Sequence, residues 1–188
     1  MIIADDEPLA RERLRGMLAT RKEVRLLAEC RNGAEARDAI VEQRPDIVLL
    51  DIKMPGLDGL SAARQVAGER LAAVLMVTAF SQRELVEQAR DAGALAYLVK
   101  PFQKSDLIPA IEVALGRFAE LAALERDVED LQSRLEARKT IDRAKGRLMD
   151  DHSLAEQDAW RFLQQQAMAN RVKIDEIARR VVDGELTP

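Results

Sequence analysis

Up to about residue 103 the chain alternates short apolar runs with stretches whose apolar residues recur at helical spacing. No other feature restricts the fold as much. The runs are Ile2–Ala4, Val24–Cys30, Ile47–Leu50, Ala73–Thr78 and Ala96–Val99. The helical stretches between them are Pro8–Thr20, Ala34–Gln43, Leu60–Ala67 and Glu84–Ala92. Several runs are apolar throughout instead of alternating, as expected of strands covered on both faces. Strands that alternate with helices make βαβ units, and so a parallel sheet wound on both sides.

Right-handed crossovers leave few topologies, and five strands fit the flavodoxin-like order 2-1-3-4-5. After Pro101 the strand pattern stops. Between Ser105 and Met149 the only glycines are Gly116 and Gly146, and the only proline is Pro109, expected near a helix start where it is tolerated. Leu121, Leu124, Val128, Leu131 and Leu135 are spaced 3-4-3-4, a heptad seam flanked by charge. Two heptads are too short to stand alone, so they read as an extension of a longer helix. They either pair with a second chain or pack on their own domain.

The C-terminal stretch has the pattern of three helical pieces. Ile141, Ala144 and Leu148 continue the long helix. Asp150-Asp151-His152-Ser153 reads as a loop, and Ser153-Leu-Ala-Glu156 as a capping box that opens a second helix. Ala159, Trp160, Leu163 and Ala167 form that helix's expected inward stripe. Asn170-Arg171 breaks the pattern, and Ile174, Ile177, Ala178, Val181 and Val182 make a third stripe. The division is therefore a domain at 1–117, a helical coiled-coil linker at 118–138 and a three-helix output at 139–188.

Composition narrows the function. The 188 residues are 47% hydrophobic and 33% charged, enough for a real core, but only 3% aromatic, so that core is aliphatic and Ala-rich. A single cysteine, Cys30, excludes an internal disulfide, and one histidine with one cysteine cannot build a zinc site. His152, in its polar run, reads as a solvated loop residue. No apolar run reaches the length of a membrane span and no charged-then-apolar leader opens the chain, so the expected location is the cytoplasm. A net charge of −4 leaves nucleic-acid binding to a local cluster.

In an open parallel sheet, functional groups gather beyond the carboxyl ends of the strands. Strand one ends in Asp5-Asp6-Glu7, strand three in Asp51, strand four in Thr78-Ala79 and strand five in Lys100-Pro101. Carboxylates so clustered repel one another unless a cation compensates, and a hard divalent ion with oxygen ligands, magnesium, is the natural one. An aspartate beside Mg²⁺ can act as a nucleophile toward a phosphoryl group. Lys100 and the metal would neutralise the phosphoryl oxygens, and the Thr78 hydroxyl would donate a hydrogen bond to them.

Together these segments resemble the receiver domains of two-component response regulators, over Met1 to about Arg117. The matching residues are Asp5-Asp6-Glu7, the Asp51–Gly59 segment, Thr78-Ala79 and the Gly93–Phe102 segment. The resemblance implies Asp51 as phosphoacceptor, phosphorylated by a cognate sensor histidine kinase, in a protein that catalyses only its own phosphoryl transfer and dephosphorylation. It implies that Asp6, Asp51 and the Lys53 backbone carbonyl bind Mg²⁺, with Asp5 acting on the metal through water. It also implies Thr78 and Tyr97 as a switch pair and a cis peptide at Lys100-Pro101. The first strand is short for such a domain, so a residue or two is expected to be missing before it. Pro55, Gly56 and Gly59 read as a tight loop leading into the next helix.

For the output, three helices without a β pattern argue against a winged helix, which needs strands. From Lys139 to Pro188 nine basic residues face nine acidic ones, but from Arg134 to Arg147 six basic residues face two acidic ones. Residues Leu121–Val182 resemble the ANTAR output domain, on Ile141-Asp-Arg-Ala-Lys145-Gly146-Arg-Leu148-Met149, Ala159-Trp160, Leu163, Ala167-Met168, Arg171 and Ile177-Ala178. That resemblance implies binding to tandem RNA hairpins and control of transcription antitermination. Lys and Arg would hold the RNA backbone, so Arg143, Lys145, Arg147 and Arg171 are the expected contacts. Trp160 is expected in the core rather than as a stacking platform, and Gly146 at a close approach of another helix or of RNA. A homodimer is expected on phosphorylation, with no membrane partner. A helical DNA reader and a purely protein-docking tail are the alternatives.

Overall fold

The computed structural model describes residues 1–19, 21–79 and 82–188. The chain divides into two compact units, Met1–Ala122 and Ala123–Pro188. In the first, the apolar runs form β1 (Ile2–Ala4), β2 (Ala28–Cys30), β3 (Ile47–Leu50), β4 (Ala73–Thr78) and β5 (Ala96–Val99). All pairings are parallel and the order is β2-β1-β3-β4-β5, as the flavodoxin-like reading expects. The helices between them are α1 (Pro8–Leu18), α2 (Gly33–Gln43), α3 (Gly59–Gly68) and α4 (Arg83–Asp91). The expected end of the first helix, Thr20, lies outside the described residues.

Adjacent residues along a strand point to opposite faces, and both faces are buried in this sheet. Ile2, Ala4, Val48, Leu50, Val74 and Met76 meet Ala36 and Ile40 of α2, Ala62, Ala63 and Val66 of α3, and Ala89 of α4. Ile3, Leu49, Leu75 and Val77 meet Leu14 and Leu18 of α1 and Leu107, Ile111 and Ala114 of the helix after β5. Side chains start two of these helices. Asn32 accepts from the Glu35 N–H at 2.9 Å, and Asp58 from the Ser61 N–H at 2.7 Å.

β2 is shorter than the expected Val24–Cys30. Its partner β1 offers ladder positions only from Ile2 to Ala4, in register with Ala28 to Cys30. Val24 and Leu26 pack against the core without joining the sheet.

After β5 a single helix, α5, runs from Lys104 to His152, followed by α6 (Glu156–Asn170) and α7 (Ile174–Val182). Pro109 falls inside α5, not at its first turn, so the bond its N–H would have made to the Ser105 carbonyl is missing. The expected loop at 150–153 is also corrected, because α5 continues through Asp150, Asp151 and His152. Ser153 is no N-cap. It has φ +52°, the left-handed conformation that ends α5, while α6 starts after Ala155 with no side-chain cap. Arg171, with φ +56°, ends α6 in the same way, where the sequence pattern breaks.

The second unit has its own core of Ala144, Leu148, Ala159, Leu163, Ile177, Ala178 and Val181. Trp160 is not part of it and is 38% exposed, which overturns its expected place inside. Among the described residues a Cβ added to Gly146 would meet nothing within 4 Å, so none of the described helices requires glycine there. The seam residues Leu121, Leu124, Val128, Leu131 and Leu135 are all exposed, Leu131 to 64%, which argues against the reading that they pack on their own domain. Among the described residues no helix is long and apolar enough to cross a membrane.

Candidate functional site

The carboxyl ends of β1, β3, β4 and β5 open on one rim of the sheet. Carboxylate oxygens of Asp5, Asp6 and Asp51 lie within 4.8 Å of one another, with Asp5 and Asp51 buried and Asp6 exposed. Lys100 reaches in from β5. Its Nζ is 2.6 Å from Asp5 Oδ2 and 3.7 Å from Asp51 Oδ2. Asp5 also accepts from the Glu7 N–H at 3.0 Å, and Asp51 from the Ile52 N–H at 2.9 Å. The Lys100–Pro101 peptide is cis.

Burial pushes the Asp51 carboxyl above the usual carboxylate range. Lys100 opposes that rise, the Asp5 charge adds to it, and the Ile52 N–H and Thr78 oppose it more weakly. Thr78 itself is fully buried at the end of β4, and its Oγ1 makes no hydrogen bond at normal distance among the described residues. A buried hydroxyl without a partner is costly and rare, and this one faces the anionic cluster. Tyr97 is half-buried on β5, and its phenol is raised by burial and then by the Asp51 charge. Lys53 lies on the exposed loop two residues beyond Asp51. Three carboxylates against one ammonium leave the rim negative, a donor set that suits a small divalent cation.

In the second unit the four expected RNA contacts do not form one cluster. Lys145 turns to α6, with Nζ 2.9 Å from Glu156 and 3.0 Å from Asp142, and those two hydrogen bonds raise its pKa. Arg147, about 200° further round the helix, pairs with Asp151 at 3.2 Å and donates to the Val182 carbonyl at the end of α7. Arg143 and Arg171 are exposed.

Comparison with known proteins finds two family matches along the chain. Residues 1–112 match the family model described as "Response regulator receiver domain" and residues 129–182 the one described as "ANTAR domain". The chain belongs to the response regulator family. It is 48% identical over 189 residues to the transcriptional regulatory protein PdtaR of Mycobacterium tuberculosis, covering 100% of this chain and 91% of that protein. Among solved structures, a LuxR-family DNA-binding response regulator from Staphylococcus aureus is 30% identical with a TM-score of 0.58, over 61% of this chain and 96% of that one. A chain of the CheX–CheY–BeF3–Mg²⁺ complex from Borrelia burgdorferi is 26% identical with a TM-score of 0.55, over 58% of this chain and 84% of that one.

The receiver unit holds two site-forming residues that the sequence reading missed. Arg11 of α1 is 9% exposed, and its Nη1 donates to the main-chain carbonyls of Asp5 at 2.6 Å and Asp6 at 3.3 Å. Its Nε lies 3.7 Å from Glu29 of β2. The available signal was its place on the stripe Arg11–Leu14–Leu18, which is otherwise the apolar face of α1. Gly59 was read only as loop chemistry, a reading that suits Gly56 with its φ of +73°. At Gly59 an added Cβ would lie 1.8 Å from the Asp51 carbonyl oxygen, so glycine lets α3 begin against the backbone of Asp51.

Proposed function

We propose that this response regulator takes a phosphoryl group on Asp51 from a sensor histidine kinase. In that state its ANTAR unit binds tandem RNA hairpins in nascent transcripts and prevents transcription termination. The observation that carries the reading is the rim itself, where Asp51 is flanked by Asp5, Asp6, the Lys100 ammonium and the buried Thr78 hydroxyl. One chain of the solved complex with Mg²⁺ and BeF3, a mimic of a phosphoryl group, shares the fold of the receiver unit.

An Asp51 oxygen forms the new P–O bond as the P–N bond to the kinase histidine breaks and the imidazole leaves with the bonding pair. Lys100 stays charged beside Asp51 and neutralises phosphoryl oxygen. The Thr78 hydroxyl donates a hydrogen bond to another phosphoryl oxygen, and Tyr97 follows Thr78 as the second switch residue. Asp6, Asp51 and the Lys53 carbonyl would hold Mg²⁺, with Asp5 acting through water. When bound, the ion neutralises developing charge on the phosphoryl group. On the output unit, Arg143 and Arg171 are open to RNA phosphates, while Lys145 and Arg147 exchange their carboxylate partners for them. The exposed seam of α5 pairs two chains in the phosphorylated state.

The test has two stages. A small phosphodonor with Mg²⁺ should add one acid-stable, base-labile phosphoryl group to the wild type and none to Asp51→Asn. Uptake by Asp51→Asn at the wild-type rate would refute the site. The phosphorylated protein should bind hairpin RNA with strong salt dependence and leave matched duplex DNA unbound. Preference for the duplex would support a DNA reader, and no nucleic-acid binding would support a protein-docking output.

A further inference from the structure

We infer that Trp160 is the platform on which an unpaired nucleobase of the RNA stacks, an assignment that rests on the proposed RNA binding. Trp160 is the only tryptophan in a chain that is 3% aromatic. The core of the second unit closes on its neighbour Ala159 and on Leu163, leaving Trp160 outside and 38% exposed. A large apolar ring that the core does not use lies instead in a surface groove between α5 and α6. Arg134, Arg138, Ile141, Lys145 and Glu156 are among the residues that line that groove with it, as is Asp142, which is paired with Lys145.

The walls identify the occupant. An indole face and Ile141 suit a flat aromatic body, and the arginines suit an anion attached to it. A nucleotide combines the two. Arg138 makes no ion pair among the described residues, so its guanidinium is available to a phosphate. Arg134 is held by Asp130 at 2.8 Å. Glu156 on the groove wall, once Lys145 turns to a phosphate, offers an acceptor to the polar edge of a base. A base inside a duplex has both faces covered by its neighbours, whereas an unpaired loop base can present a face to Trp160. The groove thereby selects a loop over a stem. The apolar character that made Trp160 read as core is what a stacking platform requires.

A single tryptophan makes the test direct. The probes are a short RNA hairpin with an unpaired purine loop and the same stem closed into a full duplex. Titrated into the full-length phosphorylated protein, the hairpin should quench Trp160 emission, while the duplex leaves it unchanged. Trp160→Ala should weaken hairpin binding about tenfold or more without altering its salt dependence, since no phosphate contact is lost. Trp160→Phe, which keeps a ring, should recover most of the affinity. Arg138→Ala should lower the salt slope instead. Hairpin binding with unchanged Trp160 emission and wild-type affinity in Trp160→Ala would overturn the stack and leave the RNA reading standing. Quenching by duplex equal to that by hairpin would overturn selection of an unpaired base. If neither probe binds, both this assignment and the RNA reading fail.

Discussion

Arg11 holds a positive charge behind a cluster of carboxylates, its Nη1 2.6 Å from the carbonyl of Asp5. Charge alone makes a definite forecast for its removal: one cation fewer nearby should strengthen Mg²⁺ binding. The geometry forecasts the opposite. The guanidinium fixes the main chain of both Asp5 and Asp6, so Arg11→Met should let those carboxylates drift and weaken Mg²⁺ binding about tenfold or more. Arg11→Lys keeps the charge but not the two-carbonyl fork, and should fall between the two. Calorimetric Mg²⁺ titration decides the matter, and tighter binding by Arg11→Met would rule out positioning. Asp51 supplies a second test. Burial first, then the Asp5 charge against the pull of Lys100, sets its carboxyl above the ordinary range. A group raised in the folded state favours folding below its unfolded pKa, and that contribution disappears as pH rises through the folded value. In metal-free buffer Asp51→Asn should therefore melt higher than the wild type at neutral pH, and the gap should close on acidification through the carboxylate range. Melting temperatures across that range check it, and a gap that widens toward acid would contradict burial as the cause of the raised carboxyl.

Among the elements, the sequence revealed those whose signal is local and periodic. β3 is apolar throughout because both its faces are covered, and its limits, Ile47–Leu50, were legible. β2 was not legible to the same degree. Its length depends on which residues of β1 lie opposite, a property of pairing that Val24–Cys30 does not contain. The rim could be assembled from sequence because a parallel sheet delivers every strand end to one edge, so Asp5, Asp51, Thr78 and Lys100 followed from topology. Arg11 did not, since its role is a main-chain contact that leaves no motif. The false capping box at Ser153 shows the limit of a short pattern. Ser-x-x-Glu fits a helix start, yet the residues before it continue α5, and the serine serves to end that helix. Trp160 failed for a related reason. Helical spacing places it one position from Ala159, at the border of the stripe, where period alone cannot decide between core and groove. Spacing did identify the α5 seam, and what it could not provide was whether the chain itself covers those five residues. They are exposed, and a regular apolar stripe left open on a helix is the ordinary mark of a missing partner.

For the whole molecule, the question is how the proposed phosphoryl charge on Asp51 would reach RNA. On the proposed phosphorylation of Asp51, the new phosphoryl group should draw Thr78 toward it and let Tyr97 turn inward, changing the receiver face formed by α4, β5 and the start of α5. The seam belongs to that same helix, so phosphorylation should favour pairing through Leu121, Leu124, Val128, Leu131 and Leu135. Pairing joins two output units. Two modest hairpin contacts then become one bivalent contact, which raises affinity by about 10²–10⁴ when the spacing of the hairpins matches. Linkage requires the reverse effect too, so tandem-hairpin RNA should strengthen dimerisation of the phosphorylated protein by the same factor. The double variant Leu124→Asp/Leu131→Asp puts charge into the seam and leaves Asp51, Trp160 and the basic residues in place. It should accept phosphate normally and sediment as a monomer. It should bind a single hairpin as the wild type does, and bind tandem hairpins no more tightly than one. If the variant remains monomeric yet holds tandem hairpins with wild-type affinity, the stripe has another purpose and phosphate must reach the RNA-binding surface within one chain.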